Sequence, residues 1–217
     1  MANKEHTALA NKGADTINAW RRDNPGVQLD LKDADLSGAQ LQGADLTGAD
    51  MRGTILVDAN LSEADLTEAN LMIADLSGAD LSKVTVVMAN LRSAHFRGAN
   101  LSGAQLSGSD LTATDLVGAN LEGASLFSAN LRWTALEEAN LTGIHLGRSA
   151  LSDCDLSQCA GLDTVNHHMY SSVSLETLLR SREGARGKTA TALETFLRSA
   201  TEPELQAALP DLFPAES

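Results

Sequence analysis

Aromatic residues make up only 3% of this 217-residue chain: two Trp, one Tyr and four Phe. That excludes a core built of large rings, and with it the basic, aromatic-studded face on which nucleic-acid bases stack. Basic residues are scarce as well, since 16 Lys and Arg stand against 29 Asp and Glu and leave a formal charge of −13. An acidic chain repels phosphate, so no direct nucleic-acid contact is expected and a basic partner is. No apolar run approaches the ~18 residues of a membrane span, and no signal-like segment follows the start, which predicts a cytoplasmic protein without membrane contact. Cysteine is limited to Cys154 and Cys159. In that compartment both read as reduced, Ala-like core residues rather than a disulfide. P-loop, nucleophile-elbow, zincin and kinase motifs are all missing, so no enzyme, metal or cofactor is expected.

What the chain has is a period of five. From Leu29 to about Cys159 an apolar residue is followed by two variable residues, a small residue and usually Asp or Asn, with no insertion or deletion. The large apolar slot falls at 31, 36, 41 and every fifth position to 156, and Leu, Met, Val or Phe fills all 26. Ala stands two residues before most of them. A helix of 3.6 residues per turn would scatter a five-residue repeat around every side and bury no stripe. The unit must be extended with a bend: two inward residues flank one outward residue, and the remaining two make a turn. Eleven of the 17 glycines sit two residues after the large apolar slot, as Gly38 and Gly103 do. A type II turn there requires positive φ, which glycine adopts without strain. Each unit is then one side of a square and four make a coil, stacked as a solenoid whose units bury their apolar sides only against neighbours.

Runs such as Ala34-Asp35-Leu36-Ser37-Gly38 and Ala99-Asn100-Leu101-Ser102-Gly103 resemble the A(D/N)LXX signature of the pentapeptide-repeat family, best known from bacteria. The resemblance implies an all-β solenoid: a right-handed quadrilateral β-helix of about six and a half coils, spaced by about 4.8 Å into a rod roughly 30 Å long. Its core ladder is expected at Leu31, Leu36, Leu41, Leu61, Leu81, Leu101, Leu121 and Leu141, with Phe96 the one aromatic in that slot. The quinolone-resistance members commonly carry several aromatics there, and inserted loops that are absent here.

The ends break the period, so the chain divides into a helical N-terminal cap at 1–28, the β-helix at 29–160 and a helical C-terminal cap or tail at 161–217. One amphipathic helix is expected from about Glu5 to Arg22, with Leu9, Ile17 and Trp20 on one side and Asn24-Pro25-Gly26 as its stop. In the tail, Ser174 can cap a helix through about Ser181, Thr191 with Glu194 resembles a capping box, and Thr201 with Glu204 and Pro203 forms another, before Pro210 and Pro214. Leu175, Leu178, Leu179, Phe196 and Leu197 either seal the last coil or form a homodimer interface.

Charge concentrates in the rod, which holds 18 Asp and Glu against seven Lys and Arg. The outward acidic surface comprises Asp35, Asp45, Asp65, Asp75, Asp115 and Asp155. Folding the sequence in steps of twenty separates four sides. The first carries Lys32, Arg52, Arg92 and Arg132 beside Asp30, Asp50 and Asp110. The second stacks Asp35, Asp75, Asp115 and Asp155, the third a near-amide ladder of Asn60, Asp80, Asn100, Asn120 and Asn140, and the fourth begins with Asp45 and Asp65. Met72, Val87, Met88, Phe127 and Trp133 form a candidate apolar contact surface. His95 and His145 fall on different sides and cannot pair, while His167-His168 offers weak metal-ligand spacing. Two functions fit: a non-catalytic interaction module on an acidic rod with an unidentified protein partner, or, by the family resemblance, a DNA mimic that binds DNA gyrase or topoisomerase IV and confers resistance to quinolones or peptide toxins.

Overall fold

The structure is a computed structural model that describes residues 2–184 and 188–200. From Asp30 to Ala160, parallel β-bridges join the residue preceding a large apolar slot to the residue 20 positions on, from Asp30 with Asp50 through Asn130 with Ala150 without a gap, and again at Asn140 with Ala160. Five residues per side and 20 per coil give a quadrilateral β-helix. One unit shows why five suffice, because every N–H finds an acceptor. Asp75 N–H donates back to Thr54 O at 2.9 Å, Leu76 N–H donates forward to His95 O at 2.7 Å, and Gly78 N–H donates to Arg97 O at 2.9 Å. Ala79 N–H closes the corner on Leu76 O at 3.1 Å, and Ser77 N–H is taken by the Asp75 carboxylate at 3.0 Å. Buried or not, no backbone donor of the unit is left over.

The corner residue two after each large apolar slot has positive φ, between 54° and 71°, at every unit from Asp33 to Asp153. Fourteen of these residues are not glycine, among them Ile73, Met88 and Trp133. The expectation that glycine marks the turns was therefore too narrow. A left-handed residue with a side chain costs about 1–2 kcal/mol, but hydrogen bonds to the next coil and across the corner hold each one in place.

Leu31, Leu36, Leu41, Leu61, Leu81, Leu101, Leu121, Leu141 and Phe96 are all buried. The register of 20 puts Leu61, Leu81, Leu101 and Leu121 in a single file. Where the small inward slot holds a hydroxyl or thiol in place of Ala, that group donates to a carbonyl 23 residues earlier. Thr54 bonds Leu31 O at 2.8 Å, Thr114 bonds Leu91 O at 3.0 Å, Thr134 bonds Leu111 O at 2.9 Å, and Cys154 and Cys159 bond Leu131 O and Leu136 O at 2.8 and 3.2 Å. These buried hydroxyls and thiols of the small slot are tolerated because each is satisfied.

At the N-terminus the expected single helix is two: α1 (Lys4–Ala10) and α2 (Ala14–Asp23). Gly13, at φ 97°, breaks them apart and brings Ala14 N–H within 3.2 Å of Gln40 O. A Cβ at Gly13 would lie 3.1 Å from that oxygen, so the close approach needs glycine. Ile17 is buried, whereas Leu9 and Trp20 are half-buried.

At the other end the solenoid outlasts its repeat. Strand β1 (His145–Leu146) pairs in parallel with β3 (Asn166–His167), and β2 (Ala150–Leu151) pairs with β4 (Ser172–Val173). The register loosens from 20 to 21 and then 22 residues, through a 3-10 turn at Leu162–Thr164. Residues 161–173, read above as the start of a helical tail, therefore continue the coil. Helix α3 (Leu175–Gly184) begins where Ser174 Oγ accepts from Thr177 N–H at 3.2 Å. Helix α4 (Lys188–Ala200) starts before Thr191, so Thr191 lies inside it and caps nothing; it packs on the 3-10 turn and buries Leu193, Phe196 and Leu197. Thr201, Pro203, Glu204, Pro210 and Pro214 lie outside the described residues.

Candidate interaction surface

The Asp or Asn before each large apolar slot has a structural task before any functional one. In all 17 such units a side-chain oxygen accepts the N–H two residues on, from Asp30 with Lys32 at 3.2 Å to Asp155 with Ser157 at 2.8 Å. That is the one N–H that coil stacking leaves over. An amide oxygen performs the task as well as a carboxylate, so the backbone asks for Asp or Asn and leaves the charge open.

Where carboxylates were chosen is informative. The third side uses mostly amides, and they bond along the rod: Asn100 donates to Asp80 at 3.1 Å, Asn120 to Asn100 at 3.3 Å and Asn140 to Asn120 at 2.9 Å. The second side carries Asp35, Asp75, Asp115 and Asp155 before its apolar slots and adds Asp58 and Glu138 at exposed positions, while Arg97 is the one basic residue this side of the coil contributes. Arg97 is engaged by Asp115 at 3.2 Å. On the first side, Arg52 pairs with Asp50 at 2.5 Å and Arg92 with Asp110 at 3.1 Å, which leaves that face mixed. Asp45 and Asp65, on the fourth side, bond Thr47 and Thr67 N–H. The hydroxyls of Ser37 and Ser77, together with the backbone N–H of the same residues, hold the carboxyls of Asp35 and Asp75 below the usual carboxylate range. Both stay ionised over the whole physiological range.

The apolar candidates differ in exposure. Met88 and Trp133 are exposed, while Met72 and Val87 are half-buried. Arg132 lies over the Trp133 ring at 5.2 Å. Phe127, read as a free contact residue, is half-buried with the His168 ring 5.1 Å away. The tail supplied that cover, and no period in the repeat announces it. His145 meets no His95, in keeping with their different sides, but its Nδ1 lies 2.9 Å from His168 Nε2. This contact spans 23 residues and arises only because the last coil is longer than 20. His167 is half-buried, and burial holds its imidazole below its ordinary range, the neighbouring His168 adding to the effect. No group of three or more potential metal ligands occurs among the described residues. Cys154 and Cys159 are free and buried, and burial pushes the Cys154 thiol up to about 12 and Cys159 upward as well. Among the described residues, no helix is long and apolar enough to cross a membrane.

The pentapeptide-repeat model (eight copies) matches residues 34–71, 74–112 and 104–143. The chain belongs to the pentapeptide-repeat family. Right-handed quadrilateral β-helices are that family's architecture, and the present coil shares it. HetL from the cyanobacterium Nostoc sp. strain PCC 7120, a pentapeptide-repeat protein involved in heterocyst differentiation regulation, is 29% identical. The match covers 70% of this chain and 72% of HetL, with a TM-score of 0.51. Rfr23 from the cyanobacterium Cyanothece 51142 is 30% identical over 62% of this chain and 97% of its own, with a TM-score of 0.38. A trypsin-treated variant of QnrB1, a plasmid-mediated fluoroquinolone resistance protein, is 18% identical over 71% of this chain and 87% of its own, with a TM-score of 0.45. No curated protein matches the chain.

Proposed function

We propose that this chain is a non-catalytic interaction module whose second side docks on a basic protein surface in a bacterial cytoplasm. The observation that carries the reading is the gathering of Asp35, Asp58, Asp75, Asp115, Glu138 and Asp155 on one side of a rod whose backbone would accept Asn before each apolar slot. A rigid coil holds such charges at fixed spacing without an entropic cost on binding. Similarity to HetL, a protein involved in regulation, supports interaction over catalysis. Substituting Asp35, Asp75 and Asp115 together by Asn keeps the turn bonds and removes three charges. In-cell crosslinking of the wild type will yield an adduct that this variant fails to form; an adduct that persists in the variant removes the reading.

The same acidity carries a second reading, a DNA mimic aimed at gyrase or topoisomerase IV. It requires that micromolar protein alter gyrase supercoiling in a manner that salt weakens, and inactivity in that assay dismisses it.

In this proposal the rod comprises about six and a half regular coils, with α1 and α2 capping one end and α3 and α4 the other. Capping explains the apolar residues of α4 without a homodimer. Sedimentation as a monomer at micromolar concentration supports this, and a dimer transfers those residues to an interface.

A further inference from the structure

Between the loosened last coil and α4 lies a cleft of about 540 Å³ lined by Arg148, His167, His168, Met169, Tyr170 and Ser199. It lies away from the acidic second side, and no carboxylate is among its described lining residues. The Arg148 guanidinium makes no side-chain hydrogen bond or ion pair among the described residues. Both ring nitrogens of His167 are buried without a hydrogen-bond partner, and the ring stands edge-on to the buried Phe196 at 5.0 Å. The exposed Arg148 guanidinium is free to engage a ligand, and the buried, unsatisfied imidazole nitrogens of His167 are costly unless something accepts from them. Met169 and Tyr170, both about half exposed, supply the apolar part of the lining. In a chain of net charge −13, the described lining of this cleft gathers cationic and cation-capable groups without acids.

We propose that the cleft binds a small organic carboxylate bearing an apolar or aromatic group. The carboxylate accepts the two-pronged donation of Arg148 and a hydrogen bond from His167, and the apolar part lies on Met169 and Tyr170. The site is independent of the acidic side and of its partner.

The experiment follows the histidine ring resonances by NMR while phenylacetate, benzyl alcohol or inorganic phosphate is added to the full chain. Phenylacetate is expected to shift His167 and His168 saturably, benzyl alcohol to leave them in place, and phosphate to bind more weakly than phenylacetate. Arg148→Gln, whose side chain loses no partner, is expected to keep the melting temperature and weaken phenylacetate about ten- to hundredfold. No saturable shift, an affinity unchanged in Arg148→Gln, or phosphate binding as tightly as phenylacetate overturns the proposal.

Discussion

At the first coil, long side chains stand in for the coil that does not precede it. Asn18 donates to Gly43 O at 3.1 Å and accepts Asp45 N–H at 2.7 Å, His6 Nδ1 accepts Asp30 N–H at 2.9 Å, and Arg21 donates to Asp45 O, Thr47 O and Val27 O. At the last coil, short hydroxyls of one helix do the same work. Ser174, Thr177 and Ser181 accept the N–H groups of Asp153, Cys154 and Leu156 at 3.2, 3.1 and 2.9 Å. Both ends satisfy an open β edge that would otherwise pair with another chain. They differ in reach. The N-terminal helices touch the coil backbone directly at Ala14 and otherwise reach it by longer side-chain arms, whereas α3 lies close enough for short hydroxyls to bond backbone where the register has widened from 20 to 22 residues.

Breaking either end tests that contrast. Ile17 is fully buried against the first coil, so Ile17→Ala is expected to cost about 2–5 kcal/mol. Melting followed through Trp20 fluorescence checks it, and a shift no larger than that of a surface substitution would show the end is not sealed there. Thr177→Val comes next. It leaves Cys154 N–H buried and unpaired, at about 1–3 kcal/mol, and faster hydrogen exchange at Cys154 will report it. Arg21→Ala follows at about 1 kcal/mol or less, because its carbonyl partners gain access to water once the half-exposed arm is gone.

Acid separates the two kinds of structure. The folded His167 is held below the value of 6.5 it takes when exposed, so the unfolded tail binds more protons and docking weakens as pH falls below 6.5. Asp75 is held below 3.8, so its contribution is intact above 3.8 and lost only as pH falls through the lower folded value. Between pH 6.5 and 3.8 the tail is therefore expected to loosen while the coils stand. Tyr170 fluorescence, which reports the only tyrosine in the chain, should change in that window with the β-helix circular dichroism unchanged. His167→Phe is expected to remove the effect. Smallest of all is Asp75→Asn, which keeps the turn bond and is expected to alter stability by no more than about 0.5 kcal/mol, while still weakening attachment to a basic partner.

Much of the coil was legible beforehand because its rule is local. A residue such as Leu81 needs only the units 20 positions away, and the same five-residue unit recurs there. Two features of the unit were legible only in part. Glycine at eleven corners announces positive φ only there, although the bonds on both sides of Ile73 or Trp133 hold a left-handed backbone in a branched or bulky residue. The outward Asp residues show their acidity in the sequence but not that each first closes a turn that Asn closes equally well. The split of the N-terminal helix at Gly13 could have been anticipated from Asn11-Lys12-Gly13, a helix-ending signal. The stripe Ser174, Thr177 and Ser181, at helical spacing, was also visible, but hydroxyls in a helix read as solvent-facing until an edge of unpaired N–H groups is set against them.

The amino-acid order alone determined the square coil, its leucine file and its overall acidity, because a strict period of five admits one way of hiding its apolar residues and each unit settles its own bonds. Only the tertiary structure decided how the rod ends, that residues 161–173 belong to the coil, that His168 covers Phe127 and meets His145, and that Arg148 and His167 share a cleft. Those contacts join segments more than 20 residues apart where the period has stopped, so no local rule links them and three-dimensional packing selects the partners.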